Sequence, residues 1–463
     1  MQKIYFDATQ PLRWGPHPPV GIPRVESALI RQVLRRNDFV AEFFLIEGDG
    51  TSRLLTISER RYLEGLVEQS IPSLDGMEDA TYLARMRVVH RIIQVGGSAS
   101  GKEFDRVAAA FLSQRPGRNG ARYALAKLAV RIDKLLTRPE SSPGLTGDPL
   151  ADPKANCFVS NVGLHTMAAH RSKPIRANAS AILHDMIPIA MPQYFNKSHT
   201  AAFERDLNWK LTRCASLICV SEFTARSARG LLESRAADGP VSSITVNPLG
   251  SFLREGLDVD SENSVQPLVD RSFAIYCSTI EIRKNHIVLL RAWLKLMPVL
   301  GDRLPDLVIC GRWGWKVDEV RQFLADHPEL LDKVHFLTGI SDPQLAWLYK
   351  NARFGVFPSH VEGWGLGAAE CLDFGLPVLI SDAEALSEAT QGLMPVIAAE
   401  DADGWCAAIE RASTDDEWLA TLRSAIADGY RPTSEAAFAD RLLTLMGVAT
   451  AHQEKNAELV RVL

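Results

Sequence analysis

The stretch that decides the fold is PSHVEGWGLGAAECLDFGLPVLISD, residues 358–382. It begins as the apolar run FGVFPS (354–359) ends, and it closes on a second such run, PVLISD (377–382). Short apolar runs separated by a helical segment predict parallel strands covered on both faces. In the loop between them, Gly363, Gly365 and Gly367 let a ligand approach the backbone. The helix that starts there offers free N–H groups to an anion, a dipole contribution of about 0.3–1 kcal/mol. A phosphate or diphosphate fits. Glu362 stands in the loop and Glu370 eight positions later in the helix. Carboxylates accept hydrogen bonds from vicinal hydroxyls, so the pair can hold two ends of one sugar- or ribose-bearing ligand.

Outward from this segment the alternation continues. FAIYCST (273–279) precedes NHIVLLRAWLKLM, DLVICGR (306–312) precedes VDEVRQFLADH, and KVHFLTG (333–339) precedes PQLAWLYKNA. This is the pattern of a doubly wound α/β sheet. The first half repeats it with more interruptions. KIYFDAT (3–9) runs through a proline-rich loop into GIPRVESALIRQVLRR, and NCFVSN, SAILHDMIP, CASLICVS and SSITVNPLG suggest later strands. The polar, patternless FLREGLDVDSENSVQPLVDR (252–271) lies between. We therefore expect a Rossmann-like domain over 1–255, a linker over 256–271, a second Rossmann-like domain over 272–430, and a helical segment over 431–463 that packs back on the first domain. Two such sheets place the substrate site in the central cleft, where both sets of strand ends face it.

The chain has 463 residues, 46% hydrophobic and 23% charged, which excludes disorder and leaves room for two substantial cores. No apolar run reaches the about 18 residues of a spanning helix, and MQKIYFDATQ lacks the apolar core of a signal peptide, so a cytoplasmic location is expected. Cys157, Cys214, Cys219, Cys277, Cys310, Cys371 and Cys406 form no CxxC pair and read as buried thiols. The net charge of −5 divides into +8 through Gly250 and −13 beyond it. The first half thus suits an anionic partner, although no nucleic-acid motif accompanies the basic excess.

Residues 358–382 resemble the E-x7-E segment of the retaining glycosyltransferases of family 4, which have the two-domain GT-B fold. The resemblance implies that Glu362 lies near the donor hexose, that Glu370 binds the nucleotide ribose, and that Gly363, Trp364, Gly365 and Leu366 offer backbone contacts to the donor. Gly367 departs from the family, where proline is usual. STIEIRKNHIVLLRAW (278–293) places Arg283, able to bind bidentately, and Lys284, a point charge, at the end of a strand. Thr279 stands where the commoner family pattern carries a different residue, so the chain resembles the RKN-type, mannosyltransferase-like subset, many of whose members use GDP-mannose. VICGRWGW (308–315) resembles a further segment and places Gly311 and Arg312 at a strand end; Gly339 and Ile340 would occupy the turn that meets the base. AILHDMIPIAMPQYF (181–195) resembles the family's HD segment, which implies His184 near the reacting centre with Asp185 beside it. PVGIPRVESALIRQVL (19–34) resembles the first glycine loop, with Gly21 and Ile22 shaping it and Arg24 meeting an acceptor phosphate.

The function expected is a metal-independent, retaining transfer of a hexose from a nucleotide sugar to a glycan or lipid-linked acceptor in polysaccharide biosynthesis, with Glu362, His184, Arg283 and Lys284 at the chemistry and no cofactor. A catalytically silent sugar-nucleotide or glycan-binding protein and a sugar-nucleotide epimerase are the alternatives. Asp258-Val259-Asp260 mimics a metal-binding DxD, but no strand precedes it; His165, His170 and His184 match no HExxH spacing. Lys127, Arg131, Lys134 and Arg138 line one stripe of a helical segment, which suits docking on an anionic membrane surface, here the inner face of the cell membrane.

Overall fold

The computed structural model describes residues 1–14, 21–46, 52–55, 57–68, 148–160, 177–235, 241–253, 265 and 268–448. The basic stripe Lys127, Arg131, Lys134 and Arg138, the residues His165, His170, Asp258 and Asp260, most of the linker and the tail beyond 448 lie outside them.

Seven strands build the first sheet: β1 (Lys3–Asp7), β2 (Val40–Ile46), β3 (Ser52–Leu54), β4 (Asn156–Val159), β5 (Asn178–Leu183), β6 (Ser216–Cys219) and β7 (Ser243–Val246). Their order is β3-β2-β1-β4-β5-β6-β7, parallel throughout except for the antiparallel edge strand β3. Phe6 stands opposite Phe43 on one side and Phe158 on the other, and the rings, 6.1 and 6.3 Å apart, form a rib through the core. Six parallel strands make the second sheet: β8 (Phe273–Cys277), β9 (Asp306–Cys310), β10 (Val334–Leu337), β11 (Phe354–Phe357), β12 (Val378–Ser381) and β13 (Val396–Ile397), ordered β10-β9-β8-β11-β12-β13. The order reverses between β1 and β4 in one sheet and between β8 and β11 in the other. A crevice opens at such a reversal, outside the carboxyl ends of the strands.

Helices cover these sheets because their apolar residues recur on one side. In His286–Leu300, Val288, Leu289, Ala292, Trp293 and Leu296 are buried against the second sheet, and the Trp293 indole donates to the Pro305 carbonyl at 2.9 Å. The sequence pattern does not mark β2, β3 or β13. Polar residues interrupt the first two, Glu42 in β2 and Arg53 in β3, and β13 is two residues long.

Near its end the chain returns to the first domain. The helix Glu435–Leu445 buries Phe438, Ala439, Leu442 and Leu443 in the core that holds Ile4, Phe6 and Leu29. Glu435 pairs with Arg31 at 2.5 Å and Asp440 with Arg36. The outgoing and returning strands of chain touch: Ser251 N donates to the Thr433 carbonyl at 2.7 Å, and a Cβ on Gly250 would fall 2.7 Å from that same oxygen, so only glycine fits there.

Candidate functional site

The turn after β8 carries the basic pair. Asn285 closes it with left-handed backbone (φ 54°), and its Nδ2 donates to the carbonyls of Pro358 at 3.2 Å and Ala399 at 2.9 Å. This fastens the turn to the loop after β11 and aims both cations at Glu362. Lys284 Nζ lies 2.5 Å from Glu362 Oε1 and Arg283 Nη1 2.9 Å from Oε2, while Ser359 Oγ donates to Oε1 at 2.7 Å. Arg283 also donates to the Val361 carbonyl at 3.0 Å and sits 2.7 Å from Glu281. The Tyr276 hydroxyl donates to the Lys284 carbonyl at 2.7 Å and steadies the turn from below. Glu362 is 5% exposed. Burial alone pushes its carboxyl up, but Lys284 and then Arg283 outweigh burial and hold it at about 2. It is a permanent anion at neutral pH. Lys284 is drawn below its ordinary value by burial and by Arg283.

Eight residues on, Glu370 projects from the helix Leu366–Asp373. Gly365 caps that helix at φ 105°, and a Cβ on Gly367 would come 2.7 Å from the Phe357 ring and 2.9 Å from the Cys277 carbonyl. The helix therefore lies too close on β8 and β11 for a side chain there, which accounts for glycine where the resemblance expects proline. Glu370 is 3% exposed; the Tyr349 hydroxyl donates to Oε2 at 2.9 Å, and buried Oε1 has no hydrogen-bond partner. Burial outweighs the pull of Arg24 and of the Tyr349 hydroxyl and raises this carboxyl to about 7.

The first domain closes the other side. Gly21 (φ 58°) leads into the helix Ile22–Leu34, which carries Arg24. Arg24, expected at an acceptor phosphate, donates from Nη2 to Asp342 of the second domain at 2.8 Å, and its Nε lies 3.9 Å from Glu370 Oε1. His184, past the end of β5, has Nε2 buried without a partner, and burial, reinforced by Lys210, lowers its imidazole to about 3, so it is neutral at pH 7. Lys210 pairs with Asp206 at 3.1 Å and donates to the Ile182 carbonyl at 3.2 Å. Asp185 accepts from Ile187 N at 3.0 Å; burial raises its carboxyl while Arg283 draws it down.

The loop after β11 meets this face directly. A Cβ on Gly363 would fall 2.1 Å from the His184 carbonyl oxygen, and the Gly363 carbonyl accepts from Ser221 Oγ at 2.7 Å. Trp364 and Leu366 pack against the first domain's core. Gly311 permits the ends of β8 and β9 to touch, since its Cβ would lie 1.8 Å from the Ser278 carbonyl oxygen, and Thr279 borders the same turn through Gly314. The exposed Arg312 holds its guanidinium 4.7 Å from the Trp14 ring, a cation–π contact between the domains. Gly339 (φ 72°) and Ile340 stand apart, in the turn after β10 at the far edge of the sheet. The site also draws on residues that the sequence pattern does not mark as functional, among them Glu281, Tyr349, Asp342, Asn285, Ser359 and Tyr276. Glu281 could have been found beside the basic pair, whereas nothing local marks Tyr349 or Asp342. Among the described residues, no three His, Cys, Asp or Glu side chains gather as a metal site would require.

Residues 260–428 match the family described as Glycosyl transferases group 1. The second domain belongs to that group. The chain is 29% identical over 268 residues to the serotype-specific mannosyltransferase WbdA of Escherichia coli, a match that covers 54% of this chain and 33% of the relative. O-antigen chain mannosyltransferase B of Escherichia coli is 29% identical over 247 residues, 53% of this chain and 64% of the relative. The match thus spans about a third of WbdA and just under two thirds of mannosyltransferase B. Among solved structures, Anabaena Alr3699/HepE in complex with UDP and glucose superposes with a TM-score of 0.54 at 13% identity, covering 96% of this chain and all of that one. The fold is GT-B, two Rossmann-like domains around a cleft.

Proposed function

We propose that the chain transfers a hexose from a nucleotide sugar to a glycan or lipid-linked acceptor in polysaccharide biosynthesis, with retention at the anomeric carbon. The observation that carries the reading is the paired corner at the strand-order reversal: a buried anion held by two cations at Glu362, and eight residues on a buried carboxylate oxygen without a partner at Glu370. Glu370 accepts from the ribose diol. Arg283 and Lys284 meet the diphosphate and neutralise the charge that gathers on it as it leaves. Glu362 stays ionised beside the sugar and stabilises positive charge at the anomeric carbon. Its oxygens already accept from Lys284, Arg283 and Ser359, which argues against their use as a nucleophile. The bond from the anomeric carbon to the phosphate oxygen breaks, the bond to the acceptor oxygen forms on the same face, and the acceptor proton passes to the departing phosphate. His184, uncharged, serves the sugar as a neutral hydrogen-bonding group. No metal is required, because the two cations take over its charge-neutralising role.

The mannosyltransferase relatives make GDP-mannose the first donor to test. Incubation with GDP-mannose and an oligosaccharide acceptor, followed by mass analysis and by NMR of the new linkage, should show one added hexose with the donor's anomeric configuration. Donor turnover without acceptor would favour an epimerase, and binding without transfer a silent scaffold. Among the described residues no helix is long and apolar enough to cross a membrane. The stripe Lys127, Arg131, Lys134 and Arg138 keeps a peripheral, anionic-membrane docking within the proposal. Changing all four to glutamine should reduce cosedimentation with anionic vesicles.

A further inference from the structure

We propose that Arg24, from the first domain, completes the ribose subsite of the second by sharing one ribose hydroxyl with Glu370. The inference rests on the reading of Glu370 as the ribose carboxylate and adds a residue from across the cleft. Arg24 is 5% exposed and Glu370 3%. Each keeps one buried polar atom without a hydrogen-bond partner, a donor at Arg24 Nη1 and an acceptor at Glu370 Oε1. Such atoms are costly to leave unpaired, and buried groups of this kind are normally satisfied. The two side chains do not satisfy each other: Nε stands 3.9 Å from Oε1, beyond hydrogen-bond reach. A group that fits between a guanidinium and a carboxylate must accept from one and donate to the other, and a hydroxyl does both. One oxygen set to the side of the Nε···Oε1 line can reach Nε and Oε1, and the unpartnered Nη1 remains as a further donor of the same guanidinium.

The second half of the arrangement fixes where Arg24 points. Its Nη2 donates to Asp342 at 2.8 Å, and Asp342 opens a helix whose N-terminus is held by the Ser341–Gln344 capping box. Asp342 thus orients the guanidinium toward Glu370 while joining the two domains. It follows that the ribose subsite is whole only when the domains are together, so the first domain reads the donor's sugar as well as the acceptor.

The test compares GDP and UDP with their 2′-deoxy and 3′-deoxy forms by calorimetry, in the wild type and in the Arg24→Ala, Arg24→Lys, Asp342→Asn and Glu370→Gln variants, each checked for folding by thermal unfolding. Wild type should prefer the ribose form over one deoxy form by about 10- to 150-fold, the range for hydrogen bonds to charged groups. Arg24→Ala should lose most of that preference, weakening the ribose form and sparing the deoxy form. Asp342→Asn should weaken both forms and keep a preference. If Arg24→Ala does not fold, Arg24→Lys, which lacks the planar fork, carries the test and should retain only part of the preference. Glu370→Gln that binds the ribose form as wild type does would remove the ribose reading itself. Glu370→Gln that weakens binding, together with an Arg24 variant that discriminates like wild type or loses both forms equally, would overturn the role of Arg24 alone.

Discussion

Glu362 and Glu370 lie eight residues apart on one loop and the helix it feeds, and both are almost entirely removed from solvent. One is held at about 2 and the other raised to about 7. Burial pushes both carboxyls up, so the difference comes from their partners. Lys284 and Arg283 lie 2.5 and 2.9 Å from Glu362, whereas Arg24 stands 3.9 Å from Glu370 and is bonded to Asp342. A motif that looks symmetrical in the sequence therefore holds two kinds of carboxylate: one whose charge is fixed before any ligand arrives, and one with an acceptor left open.

The harshest way to break the contrast is to remove a cation from the first glutamate. Lys284→Ala should cost about 3–5 kcal/mol of stability, as for other buried pairs that lose one member, and should abolish most transfer activity. A carboxyl with a depressed value stabilises the fold above its unfolded value and loses that contribution as pH falls. In the wild type the loss runs from the ordinary 4.5 down to about 2. Urea unfolding across this range should show the variant losing less to acid than the wild type, since its Glu362 titrates nearer to the ordinary value.

Asn285→Ala attacks the fastening that aims the cations. It forfeits two buried hydrogen bonds and places alanine at positive φ, for an expected loss of about 2–4 kcal/mol. Chemical denaturation measures it, and the pKa of Glu362, followed by NMR in the folded variant, should rise if the turn's aim is what depresses it.

Glu370→Gln sharpens the contrast from the other side. Because its folded value is raised, the wild type loses stability as pH climbs from 4.5 to about 7 and nothing more above that. The neutral variant escapes the loss and should exceed wild type above pH 7 by about 1–3 kcal/mol, since each tenfold change in proton affinity corresponds to about 1.4 kcal/mol. Thermal unfolding without nucleotide at pH 5 and pH 8 reads the crossover, while nucleotide affinity should fall in the same variant.

The smallest expected effect is none at all. If the fixed cations beside Glu362 take the place of a metal, turnover should be unchanged in EDTA. Activity abolished by EDTA and restored by Mg²⁺ or Mn²⁺ would mean that they do not.

The apolar runs that became β1, β4 and β8–β12 were legible because a buried parallel strand is apolar on both faces, which leaves a mark in a single line of sequence. The edge strand β3 carries no such mark. The two glutamates and the glycines stand out because they share one continuous segment between β11 and β12, and the basic pair because it follows the end of β8. Their partners do not. Tyr349 reaches Glu370 across 21 positions and Arg24 reaches Asp342 across 318, distances that only the strand order and the meeting of the domains bring together. Arg24 illustrates the limit well, since nothing near it in the sequence announces that its guanidinium meets Asp342 and stands beside Glu370 of the other domain.

Among the described residues the chain leaves the first domain after Ser251 and returns to it from Thr433, and these two stretches are hydrogen-bonded to each other beside a glycine that no other residue can replace without displacing them. Two ties side by side resist swivelling more than a single tether would and leave bending about the line between them as the easier motion, as with a door hung on two pins. Because the helix Glu435–Leu445 is built into the opposite domain's core, a cut before it would damage the half of the protein encoded first. It would also free the remaining half to rotate, so the sensitive readout of such a cut would be the alignment of the two cleft walls.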